Sequence, residues 1–146
     1  MLKTIFLWVF ATLILLQLIQ IKIPETPINI SKTVEIEAPK NMMALFKKSC
    51  YDCHSYETKI PWYGHIAPIS WEVKGHIKDG RKWLNFQTWN IYDEEKKQKF
   101  YKGIVKTISY RMPIPNYLYM HEEARLSKGE RDAIKLWAQS HIKNED

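Results

Sequence analysis

The chain has 146 residues, a formal net charge of +6, 45% hydrophobic and 13% aromatic side chains, and two cysteines. That length supports one domain. The basic residues form no dense stripe, which excludes a nucleic-acid binder.

Residues Thr4 to Ile21 form an apolar run interrupted only by Thr12, Gln17 and Gln20. At helical rise, eighteen residues reach about 27 Å, just enough for a bilayer core. Lys3 precedes the run, and no acid occurs before Glu25. This predicts an N-terminus kept inside and a remainder exported. The run ends Gln20-Ile21-Lys22-Ile23-Pro24, without the small residues of a cleavage site, so an uncleaved transmembrane anchor over 1–22 is expected rather than a signal peptide. Residues 23–38 read as a linker punctuated by Pro24 and Pro27. Its stretch Lys32 to Glu37 alternates weakly, as either a short strand or plain tether.

The domain proper is expected over 39–146 and reads as all-α. Pro39 suits the first turn of a helix over about 40–48, with Met42, Leu45, Phe46 and Cys50 inward. A second helix is expected to start at Ser70 and to be capped by Gly80. Asp93 can cap a third, with Phe100, Ile104, Val105 and Ile108 on one side and Pro113 stopping it. Lys96, Lys97, Lys99, Lys102 and Lys106 on that helix, with Glu94 and Glu95 nearby, read as a solvated face; the alternative is a docking face for an acidic redox partner. Ser127 and Glu130 make a capping box for a last helix through Ile134, Trp137 and Ala138. Long Pro-rich and aromatic loops separate these helices. Such a chain does not easily fill its own centre, which suits a large prosthetic group.

The chemistry is concentrated in Cys50-Tyr51-Asp52-Cys53-His54. Cys-x-x-Cys-His is the attachment pattern of c-type haem. One helical turn places both sulfurs at neighbouring haem vinyl groups, and the next residue aims its imidazole at the iron. A strained short disulfide, a thioredoxin-like pair and a zinc site completed by His65 or His76 are the competing readings. Cys50 and Cys53 are therefore the expected attachment points and His54 the expected iron ligand through Nε2. Its Nδ1–H needs an acceptor, for which the Pro68 carbonyl is the first candidate and Pro61 the second. Met112, directly before Pro113 in the loop after the third helix, is the expected sixth ligand; a thioether there raises the reduction potential. His76, His121, Met120 and His65 are its rivals. Pro61-Trp62-Tyr63 and Trp71 are candidates for the haem edge, and Arg81 and Lys82 for the propionates.

The stretches from Ser49 to Ser55, Pro61 to Tyr63, Ile66 to Trp71 and Leu84 to Phe86, and the tail Met112 to Tyr117, His121, Ala124 to Ser127 and Trp137, resemble the small haem-binding domain proteins found mainly in Bacteroidetes-type bacteria. The resemblance covers nearly the whole chain, including the N-terminal apolar segment. It implies a cytochrome c-like layout around one haem, with His54 and Met112 as axial ligands, and it includes His121 in the pattern. The function expected is one-electron transfer by a membrane-tethered periplasmic cytochrome, with an unknown redox protein as partner. A peroxidase-like enzyme or a redox or gas sensor with a labile sixth ligand is the alternative.

Overall fold

The computed structural model describes residues 1–27 and 34–143. Among them are seven α-helices and no strand. The first positions of the weakly alternating run, Lys32 and Thr33, lie outside the described residues.

Helix α1 (Leu2–Leu16) buries none of its residues. It ends five residues before the expected boundary, and no described helix is long and apolar enough to cross a membrane. The expected span is corrected by the chemistry of its glutamines. Gln17 turns its carboxamide onto the Ala67 backbone, accepting from the amide N–H at 2.9 Å and donating to the carbonyl at 3.0 Å. Trp71 Nε1 donates to the Ile19 carbonyl at 2.7 Å, and Lys74 donates to Gln20 at 3.0 Å. Gln17, Ile19 and Gln20 are thus bonded to the domain instead of extending the helix.

The domain begins before Pro39. Ile36, at the end of the expected linker, is 3% exposed and donates its amide to the Phe86 carbonyl. Helix α2 (Lys40–Ser49) buries Met42 and Phe46 as its periodicity predicts. A break at Cys50 separates it from the single turn α3 (Tyr51–His54). Helix α4 (Ile69–Trp83) runs past Gly80, so Gly80 is not its cap. A Cβ on that glycine would lie 2.5 Å from the Cys53 carbonyl oxygen. The residue is glycine because α3 presses backbone to backbone on α4 there.

Helix α5 (Glu94–Thr107) starts where Asp93 accepts from the Lys96 amide at 2.7 Å. A short α6 (Pro115–Met120), absent from the periodicity, follows the Met112 loop. Helix α7 (Lys128–Ser140) carries both halves of the Ser127–Glu130 capping box and packs along α5. The core between them is aromatic. Phe46 stacks on Phe86 at 4.9 Å and meets Trp137 edge-on at 5.1 Å, and Trp89 meets Tyr101 edge-on at 5.1 Å. These are favoured quadrupole geometries. Phe46, Phe86, Ile108 and Ile134 of this core also wall a large cavity beside α3.

Candidate functional site

The cavity has a volume of about 930 Å³ and is walled mainly by apolar surface. That is the upper end of the range for small-molecule sites, roughly 300–1,000 Å³. Cys50, at the break before α3, and Cys53 and His54 on α3 reach it, and so does Met112 from the loop after α5. Residues 58 positions apart in sequence therefore meet in one space. Of the rival sixth ligands, His76 also reaches the cavity, whereas His121 and Met120 line a smaller neighbouring one and His65 lines neither.

His54 Nδ1 lies 2.9 Å from the Leu84 carbonyl oxygen. This corrects the expectation of Pro68, and of Pro61 as its alternative. Leu84 follows the last turn of α4, where a helix leaves its carbonyls without internal partners. The contact of Gly80 with Cys53 brings that helix end beside the imidazole. With Nδ1 donating to Leu84, Nε2 carries the free lone pair. Burial pulls His54 below its ordinary pKa, opposed by hydrogen bonding to the Leu84 and Gly80 carbonyls, so the ring is neutral and able to ligate. Phe86 meets the imidazole edge-on at 6.1 Å and limits its rotation.

The two thiols are free. Burial, with the neighbouring Cys53 sulfur adding, pushes Cys50 up to about 12. Burial and the Asp52 carboxylate push Cys53 up to about 11, opposed by Arg81. Both are therefore protonated at neutral pH. Asp52 is fixed by Tyr117, whose hydroxyl donates to it at 2.8 Å, and by the Lys59 amide at 3.2 Å.

Met112 is held from a distant element. Arg131 on α7 donates through one guanidinium nitrogen to the carbonyls of both Ile108 and Met112. Sequence reasoning missed this residue because its partners are backbone atoms, which leave no pattern. The aromatic wall differs from expectation as well. Trp62 is exposed, Tyr63 faces the smaller cavity, and Trp71 is bonded to Ile19. Phe46, Trp83, Phe86, Phe100 and Tyr117 line the large cavity instead. Arg81 is committed to Ser55, Pro24 and Thr58, and does not line it. Lys82, Lys96 and Lys99 do.

The model of the haem-binding domain family matches residues 11–140. The chain belongs to the haem-binding domain family. No curated protein and no solved structure matches it. The family match includes the C-terminal end of α1, so the Gln17–Ala67 contact lies within the haem-binding domain. A haem fits the residues present: an apolar cavity of suitable size, a neutral imidazole with its second nitrogen already bonded, a thioether, and lysines at the rim for propionates. Among the described residues, no group of three or more His, Cys, Asp or Glu side chains is placed to hold a metal ion by itself.

Proposed function

We propose that this haem-binding domain is a membrane-tethered c-type cytochrome that carries single electrons between partner proteins. The observation that carries the proposal is the convergence of Cys50, Cys53, His54 and Met112 on one cavity. Cys50 and Cys53 would hold the haem as thioethers. His54 and Met112 would hold its iron. When bound, haem supplies one-electron exchange at its iron. The chain's own contribution is to keep both ligands fixed: Leu84 and Phe86 hold the imidazole, and Arg131 holds the Met112 loop. With both side chains held, the haem would exchange an electron with little rearrangement of the chain. Lys82, Lys96 and Lys99 at the rim would offset the propionates.

The tether is α1. Its large apolar side chains from Leu2 to Leu15 are 44–69% exposed, a surface that lipid covers at little cost. Thioether haem is attached on the outer side of the membrane, so the haem domain would sit on the periplasmic side of the inner membrane.

The test is a visible spectrum of protein matured with the c-type haem assembly machinery. A ferric low-spin spectrum with a thioether-to-iron charge-transfer band is expected. A high-spin ferric spectrum that changes promptly with peroxide or cyanide would favour the enzyme or sensor reading, in which Met112 leaves or never binds.

A further inference from the structure

Beside the large cavity lies a second one of about 230 Å³, lined predominantly by apolar surface. Asp52, Cys53, His76, Ile114 and Tyr117 line both cavities, so a single layer of side chains separates them. An apolar cavity of about 150 Å³ is enough to hold a benzene ring. This one has room for a ring with substituents, and its walls include Ile69, Val73, Ile77 and Met120.

One end is polar and has a direction. The Tyr63 hydroxyl lies 2.7 Å from His121 Nε2, and His121 Nδ1 lies 2.9 Å from Glu123 Oε1. The hydrogen bond from His121 holds the Glu123 carboxyl below its ordinary range, so it is ionised and can only accept. His121 Nδ1–H therefore donates to Glu123, and Nε2 accepts from Tyr63. The oxygen of Tyr63 is left with lone pairs for a donor in the cavity. Tyr117 stacks on His121 at 4.3 Å and 15° and keeps the ring in place. Glu123 stands in solvent, with 73% of its side chain exposed.

The rim lies at the tether. Trp62 and Ile69 line the cavity and are 72% and 52% exposed, and Ile66 beside them is 46% exposed. Ala67, between Ile66 and Ile69, is the residue that grips Gln17 at the end of α1. A bilayer holding α1 would meet this rim.

We propose that the smaller cavity binds the head group of a lipid-soluble hydroquinone, its hydroxyl donating to Tyr63 and its tail leaving past Trp62 and Ile69 towards the membrane. The proposal rests on the tethered-cytochrome reading, which places the rim at lipid and a redox group behind the shared wall. The ring fills an apolar space. The acceptor chain from Tyr63 to Glu123 selects a ligand bearing an O–H, so the hydroquinone binds more tightly than its quinone.

The test uses full-length haem-loaded protein in detergent micelles, its haem reduced beforehand so that no electron passes from the ligand, titrated anaerobically with a decyl-substituted hydroquinone and followed by calorimetry. Saturable binding at one site per chain is expected. Tyr63→Phe removes the acceptor oxygen and is expected to weaken binding about tenfold, as is replacing the hydroquinone by the corresponding quinone. Ile69→Asp is expected to weaken it at least as much. With the haem already reduced, its spectrum is expected to stay unchanged as hydroquinone is added. Absence of saturable binding, wild-type affinity in Tyr63→Phe and Ile69→Asp, or competition by carbon monoxide would overturn the proposal. A chain that carries no thioether haem refutes the cytochrome reading instead, whereas haem-loaded protein that fails to bind hydroquinone refutes this one alone.

Discussion

At the scale of single residues, Met112, the proposed sixth ligand, carries the most functional weight. Met112→Ala is expected to convert a low-spin ferric spectrum to high-spin; an unchanged spectrum would pass ligation to His76, the one rival that lines the same cavity. Gly80 makes a separate prediction. Because a Cβ there meets the Cys53 carbonyl, Gly80→Ala must push α3 away from α4. A loss of about 1–3 kcal/mol in stability is expected from urea unfolding, with less haem attached per chain. The cysteines give a pH dependence. In the haem-free chain their folded pKa values, about 12 and about 11, stand above the ordinary thiol value. The folded state therefore holds more protons between about pH 9 and 12, and stability falls as pH rises through that window. Urea midpoints across it check the sign, and Cys→Ser at both positions is expected to flatten the curve.

At the scale of elements, the caps were legible and the junctions were not. Asp93 and the Ser127–Glu130 box mark their helices because capping is local chemistry. Ser127→Ala is expected to cost about 1 kcal/mol, the usual worth of such a cap. Hydrogen bonds from Ser127 and from Lys48 hold the Glu130 carboxyl down at about 2. Its contribution is present above the ordinary carboxylate value and is lost as pH falls towards 2. Thermal unfolding of wild type and Glu130→Gln is expected to converge at acid pH. By contrast, Gly80 looked like a helix stop and is a crossing point, and Pro68 looked like the acceptor for His54 where Leu84 serves. Both depend on how α3 lies across α4, which periodicity along one chain does not encode. Arg131 belongs here as well. It ties α7 to the Met112 loop through backbone carbonyls. Arg131→Met is expected to retain the fold while raising the high-spin fraction.

At the scale of the whole molecule, the chain joins an exposed apolar helix to a helical domain with a large cavity. The apolar run and the Cys-x-x-Cys-His motif announced both parts. What they did not announce is the join: Gln17 and Gln20 interrupt the run because they bond to the domain. Deleting residues 1–16 is expected to release the protein from liposomes while leaving its haem spectrum intact, measured by flotation. The central claim is the covalent haem, and intact mass under denaturing conditions tests it most directly. Wild-type chain matured with the c-type assembly machinery is predicted to gain the mass of one haem, and Cys50→Ser with Cys53→Ser to gain none. A wild-type chain of unmodified mass after such maturation would contradict the account.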